Sequence, residues 1–288
     1  MTNTGINTLG STTYRVKFYQ ANLDRILRNM LVAEKICEVD RTDSYLIRNP
    51  YGSQTTAQIT GLNGTYNIDD YTTTDDSLTV DQEFKAAEHV YDFEQTLLNF
   101  DMFANRANEQ AYSIAQKIDQ FVINSYCKNA NQTYSTPAGG FTTAANLNVI
   151  MSNLISKVSG YADVYKGLFL VLENTDITGV IVAQATNGFT FADSTLNNGF
   201  MSTYMGIDIY VVRSGMFSTS TIGTTSFTNS GHRVFGVKNS ATYAAPRGVQ
   251  FEEKGISGKT GKEIVTWGYI GFKAWVTKYD LIVNITIV

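Results

Sequence analysis

The stretch from about Asn99 to Lys128 constrains the fold more than any other, because its apolar residues recur at Phe100, Phe103, Ala107, Ala111, Ile114, Ile118 and Phe121. Steps of three or four put these side chains on one stripe of a helix. Asp101, Asn105, Asn108, Glu109, Gln116, Lys117 and Gln120 are left for the other faces. Asn99 or Asp101 is placed to cap the first free N–H groups, and Lys128 sits where the helix dipole favours a cation. Phe100 to Tyr126 spans roughly 40 Å at helical rise. The heptad slips between Ala107 and Ala111, so the pattern predicts a long helix lying across a sheet rather than a two-stranded coiled coil. Such a helix alone is also compatible with an ordinary buried core, so the flanking segments decide what it serves.

The 288 residues are enough for one large core or two smaller ones, and 17 Tyr and 16 Phe tilt the composition towards sheet. A formal net charge of −4 provides no global basic field for nucleic acid. Cys37 and Cys127 form no CxxC pair, which fits synthesis in a reducing cytosol. No apolar run approaches the roughly 20 residues of a membrane span, and the polar first twenty residues lack the core of a signal peptide.

Residues 1–20 read as an extended arm, with Tyr14, Val16 and Phe18 on one side and Arg15 and Lys17 alternating with them. From Asn22 to Glu38 the spacing of Leu23, Ile26, Leu27, Met30 and Leu31 predicts a helix. Up to Lys35, five basic residues face two acidic ones; this suits a polyanion, but a solvated helix face accounts for it better. Tyr45–Arg48 is strand-like and closes at Asn49-Pro50. Residues 51–76 are then rich in Thr, Gly, Asn and Asp, with turn signals at Gly61, Asn63-Gly64 and Asp69-Asp70. Leu78, Val80, Phe84, Ala86 and Val90 keep period two up to the long helix. The result is a long hairpin with a weakly hydrophobic tip, which needs a surface to lie on.

Residues 129–140 read as a linker. Leu147, Ile150, Met151, Leu154 and Ile155 mark a helix over 144–158, and Gly167–Leu172 is a buried strand. A short helix over 174–183 and strands over 206–213 and 232–237 complete an α/β unit, with a Ser/Thr/Gly loop over 215–230. In the closing segment Ile264, Ile270, Phe272, Ala274 and Val276 share one face, with Val265, Trp267, Tyr269 and Trp275 on the other. Leu281, Val283, Ile285 and Ile287 alternate to the C-terminus. Pro50, Pro137 and Pro246, the only prolines, lie at the expected boundaries, so the α/β unit reads as an insertion between the helix and the closing strands.

This order resembles the major capsid proteins of tailed phages with the Hong Kong 97-type fold. The stretches that carry the likeness run from Leu78-Thr79-Val80-Asp81-Gln82 through Asp92-Phe93-Glu94-Gln95 to Ile118-Asp119. Further ones are Gly199-Phe200-Met201, Gly206–Tyr210 and Trp267–Lys273. The resemblance implies an α+β capsid fold with an N-terminal arm (1–30) and a first peripheral part (31–44). It also implies an E-loop hairpin (45–77), a peripheral domain with the spine helix (78–140), an axial domain (141–245) and closing peripheral strands (246–288). It implies self-assembly into pentamers and hexamers of an icosahedral shell around double-stranded DNA, in a virion assembled in the bacterial cytoplasm. Inter-subunit contacts are expected at Tyr14, Arg15, Phe18, Tyr51, Tyr66, Asp69, Asp70 and Tyr71. Partners would be further copies, nonspecifically held DNA, a separate scaffolding protein, a portal and decoration proteins, with no membrane, cofactor or metal. No lysine lies between Lys35 and Lys85, so the E-loop cannot supply the amine with which some family members cross-link their shells. The same fold serves encapsulin-type nanocompartments, and a monomeric α/β enzyme with a long hairpin is the reading from another class.

Catalytic signals are weak. Gly258-Lys259-Thr260 lacks the glycine a P-loop needs at the position of Glu253 and precedes a strand. His89 and His232 sit in no metal-ligand spacing, and no G-x-S-x-G elbow is present. Asp69, Asp70, Asp75 and Asp76 fit no EF-hand and read as a solvated acidic loop rather than a calcium site. The chain is therefore expected to be a structural protein rather than an enzyme.

Overall fold

A computed structural model describes residues 31–52, 58–60, 62–65, 68, 70, 72–90, 102–161, 166–186, 200–255 and 260–288. In chain order the elements begin with α1 (Ala33–Ile36), β1 (Glu38–Asp40), β2 (Leu46–Arg48), β3 (Tyr51–Gly52), β4 (Thr73–Thr74), β5 (Ser77–Thr79) and β6 (Gln82–Val90). The spine helix α2 (Met102–Asn129) follows, then β7 (Gln132–Ser135), a 3-10 turn (Gly140–Thr142), α3 (Ala144–Val158), β8 (Leu168–Glu173) and α4 (Ile177–Thr186). The rest is nearly all strand: β9 (Phe200–Tyr204), β10 (Ile207–Val212), β11 (Thr221–Ile222), β12 (Thr225–Ser226), β13 (His232–Val237) and β14 (Ala241–Ala244). β15 (Gln250–Gly255), β16 (Lys262–Ala274), a 3-10 turn (Val276–Leu281) and β17 (Ile282–Thr286) complete the chain.

Two sheets carry the body. The first has the order β1-β14-β16-β15, with β6 also on β16; the second runs β7-β17-β13-β8-β10-β9. β6 pairs antiparallel along β16 from Val90↔Lys262 to Gln82↔Ile270, so the strand entering the spine helix is clamped to a strand from the closing segment. Period two holds in both. In β6 the side chains of Gln82, Phe84, Ala86 and Glu88 face inward, and in β16 Ile264, Thr266, Gly268 and Ile270 are buried.

The spine helix lies between the sheets. Ala111, Ile114, Ile118 and Phe121 are buried as the stripe predicts, but so are Val122, Ile123, Tyr126 and Cys127. Two sheets cover the C-terminal half of the helix. The Tyr126 ring stands edge-on to Phe169 of one sheet, at 5.5 Å between centroids, and to Phe272 of the other, at 5.0 Å. β8 has both faces buried. Phe169 and Val171 join the core around the spine, whereas Leu168, Leu170 and Leu172 join a second core under α3 and α4.

Several expectations differ from the structure. The helix over 22–38 appears within the described residues only as Ala33–Ile36, and Glu38 opens a strand because it pairs in parallel with β14. The linker over 129–140 contains β7, recruited in parallel by β17. The closing strand β17 belongs to the six-stranded sheet, beside β13, while β14 belongs with β1 and β16. Strand pairing therefore joins residues from either side of 140 and of 245. Trp275 is buried and Val276 is 43% exposed, the reverse of the expected faces. The strand ends at Ala274, and Trp275 instead donates from Nε1 to Thr242 Oγ1 at 2.9 Å.

Candidate assembly surface

The hairpin that leaves the body between β1 and β6 is fastened at its root. At the root, β2 pairs with β5 from Leu46↔Thr79 to Arg48↔Ser77, and β3 pairs with β4 at Tyr51↔Thr74 and Gly52↔Thr73. Leu78, 1% exposed, packs with Ala244 and Trp275, and Tyr45 stands edge-on to Tyr269 with Arg247 over its ring. Asp76 overturns the reading of a wholly solvated acidic loop. It is buried, pairs with Lys273 at 2.9 Å and accepts the Val276 N–H at 3.0 Å, because its backbone lies in the turn where the root meets the end of β16. Asp75 faces Arg48 on the surface at 3.7 Å.

Ile59, Leu62 and Ile68 are 105%, 100% and 82% exposed. Asn63 adopts φ +62°, the left-handed turn conformation that Asn tolerates, as its Asn-Gly signal predicts. Of the residues expected at contacts, Tyr51 is half-buried near the root and Asp70 is exposed. Tyr14, Arg15, Phe18, Tyr66, Asp69 and Tyr71 lie outside the described residues. The exposed aliphatic chains of the tip were not singled out from the sequence, although their placement in a Thr/Gly/Asn-rich stretch with no core period was a usable signal.

A buried carboxylate holds the backbone just before β1. Asp119, in the middle of the spine helix, accepts the N–H groups of Val32 at 3.1 Å and Ala33 at 2.8 Å. Burial pushes its pKa up to about 7, opposed by these two hydrogen bonds and aided by nearby Glu34. Burial likewise raises the Cys37 and Cys127 thiols, which are free and far from reactive thiolates. Asn124 fixes the loop after β10 to the same helix. Its Nδ2 donates to the carbonyls of Gln120 and Met216, and its Oδ1 accepts from Ser218 N–H and Asn229 Nδ2. Arg233 forms a buried ionic cluster with Glu173 at 3.0 Å and Asp176 at 2.5 Å, which ties β13 to the start of α4.

The histidines do not meet. His89 lies exposed on β6, and His232 on β13 pairs through Nδ1 with Asn284 Oδ1 at 2.8 Å. Among the described residues no group of three or more His, Cys, Asp or Glu is placed to hold a metal ion, and no helix is long and apolar enough to cross a membrane.

No protein-family model and no curated protein sequence matches the chain. Solved structures do match its fold. The capsid structure of the cyanophage P-SCSP1u superposes with TM-score 0.66 at 10% identity, over 90% of this chain and 88% of that one. A structure from Mycobacterium phage Che8 gives TM-score 0.62 at 14% identity over 84% of each. A virus-like particle from Pyrococcus furiosus gives 0.61 at 10% identity, over 94% and 99%. The chain thus has the α+β, Hong Kong 97-type fold that its sequence resemblance implies.

Proposed function

We propose that this chain is a major capsid protein of a tailed phage, one that builds an icosahedral shell from pentamers and hexamers around a double-stranded DNA genome. The observation that carries the reading is the hairpin: a root locked by Asp76 and Leu78, holding out three branched aliphatic side chains that the chain itself leaves exposed. In a monomer such a projection is an aggregation liability. In a shell it is a contact, because heterologous surfaces that close into rings and cages bury area on neighbouring copies. Burying three such side chains contributes on the order of 5 kcal/mol per contact before association costs. Repetition over a shell multiplies that gain.

With a net charge of −4 and no global basic field, its contact with packaged DNA is electrostatic and nonspecific. Scaffolding, portal and decoration proteins would be its partners, the host cytoplasm its place of assembly, and the virion capsid its final location. The contact residues expected from the sequence, Tyr14, Arg15, Phe18, Tyr51, Tyr66, Asp69, Asp70 and Tyr71, belong to the two segments that would lap neighbours. A second reading, a protein nanocompartment of the encapsulin type, draws support from the likeness to the Pyrococcus furiosus particle.

Electron microscopy of purified particles, with analysis of their contents, tests both. Closed shells with packaged genomic DNA are expected. Shells enclosing a docked enzyme would overturn the phage assignment, and a stable monomer under all conditions would overturn the shell itself in favour of a monomeric enzyme.

A further inference from the structure

β10 and β13 flank β8 in the six-stranded sheet and meet at the same end of it, with Val212 opposite Glu173 and Val234 opposite Val171. Two inter-strand spacings separate them, about 10 Å, which about four residues span. The chain instead spends residues 213–231 on the connection. The surplus leaves its own sheet, crosses the spine helix and reaches the other sheet.

Three sets of contacts hold this excursion. At its start the N–H groups of Gly215 and Phe217 donate to Glu173 Oε1 at 2.9 Å and 3.4 Å, and the Arg233 guanidinium lies 5.0 Å from the Phe217 ring. On the spine helix, Asn124 binds Met216, Ser218 and Asn229, and Phe121 stands edge-on to Phe227 at 6.2 Å. At the tip, the β11–β12 hairpin meets Gln82 at the start of β6. Gln82 Nε2 donates to Thr224 Oγ1 at 2.6 Å, and Gln82 Oε1 accepts the Thr224 N–H at 3.0 Å. Gln82 is buried and pairs in register with Ile270 of β16, so the tip is fastened through it to the first sheet. The residue before Thr224 has to be glycine, since a Cβ on Gly223 would lie 1.9 Å from Gln82 Oε1.

The first two sets belong to the core and the third does not. Met216, Phe217 and Phe227 are buried, whereas Thr221, Gly223, Thr224 and Ser226 are exposed. Strands of two residues do not hold themselves, and water can take over both Thr224 bonds. The tip can therefore let go of Gln82 without opening either core.

We propose that residues 213–231 form a brace that sets the angle between the two sheets, and that releasing its tip from Gln82 frees this angle while the chain stays folded. Because β6 follows the long hairpin and carries Gln82, the brace also fixes the direction in which that hairpin leaves the six-stranded sheet. A further consequence rests on the shell reading: chains with one fixed angle close shells of one curvature, and released chains close shells of mixed curvature.

Paired spin labels measure the angle. Ser135→Cys on β7 and Lys254→Cys on β15 put one exposed label on each sheet, and the buried Cys37 and Cys127 stay unlabelled. Gln82→Leu roughly keeps the side-chain volume and removes both bonds to Thr224. The expected results are a distribution of label distances about twofold broader than with Gln82, a melting temperature lowered by less than about 10 °C, and about twofold more scatter in particle diameter. An unchanged distance distribution overturns the brace. A broadened distribution with unchanged particle diameters supports the brace and overturns its control of curvature. Failure of the unmodified chain to form any particle overturns the shell reading, and the label distances in the free chain still decide the brace.

Should Gln82→Leu not fold, a second variant decides. Residues 221–226 are replaced by two glycines, since the Phe227 N–H donates to the Ser220 carbonyl at 3.3 Å and the cut ends already meet. The same broadening is expected. If this variant also fails to fold, the tip is part of the core and the brace is overturned.

Discussion

The carboxylate of Asp119 accepts the backbone N–H of Ala33 at 2.8 Å, across 86 positions of sequence, and the N–H of Val32 beside it at 3.1 Å. The spine helix thereby holds the backbone at Val32 and Ala33. Asp119→Ala leaves two buried amides without acceptors, at about 1–3 kcal/mol each. The expected outcome is a loss of several kcal/mol in urea unfolding and faster hydrogen exchange over residues 31–37. An unchanged exchange pattern there would show that the carboxylate does not anchor this segment.

The same residue makes stability depend on pH. Its folded pKa of about 7 lies above the ordinary 3.8, so the folded state takes up a proton that the unfolded state gives up. The stabilisation from Asp119 is complete below the ordinary value and is lost as pH rises through 7. Between pH 5.5 and pH 8 this group alone removes about 2 kcal/mol. Asp119→Asn, which cannot titrate, flattens that slope in urea melts. Identical slopes in the two proteins would place the titration elsewhere.

Changing Ile59, Leu62 and Ile68 together to serine separates folding from assembly. The side chains touch little in their own chain, so unfolding free energy stays within about 0.5 kcal/mol of the unchanged protein. Particle yield falls by at least tenfold in sedimentation. Particles at full yield would remove the tip from the assembly contact.

Ala111 is fully buried on the inner face of the spine helix, in the core that includes Ile264 and Ile270 of β16. Ala111→Asp places an unpaired carboxylate there and costs more than about 3 kcal/mol, which abolishes folding or assembly. Normal particles from this variant would mean that the buried face of the helix is wrongly assigned.

Gly179 in α4 lets the helix sit directly on the backbone of the 3-10 turn before α3. A Cβ there would lie 2.1 Å from the Phe141 carbonyl oxygen. Gly179→Ala therefore has to push the helix off the turn, at about 1–3 kcal/mol. A thermal melt that does not move would show that the two elements separate freely.

Much of this architecture was legible in local periodicity. The stripe through Ala111, Ile114, Ile118 and Phe121, the buried run Leu168–Leu172 and the helix Ala144–Val158 all stand where their spacing puts them. The Asn63-Gly64 turn and the alternation along β6 do so as well. A period of 3.6 or of two depends only on which faces of an element are apolar, and neighbouring residues settle that. The order of these elements was enough for the resemblance to a capsid fold.

Which edge meets which is not a local property. β7 is a strand because β17, some 150 residues on, offers it a parallel edge. β17 itself joins the six-stranded sheet and not the closing strands beside which it lies in sequence. Likewise, Asp76 reads in sequence as part of a solvated acidic loop and Asp119 is given no partner, and only the folded chain brings Lys273 to the one and the Ala33 amide to the other. Periodicity determined what each segment is. Tertiary structure decided its partners, because backbone hydrogen bonds carry no residue identity and buried charges are satisfied by whatever distant groups the topology brings within reach.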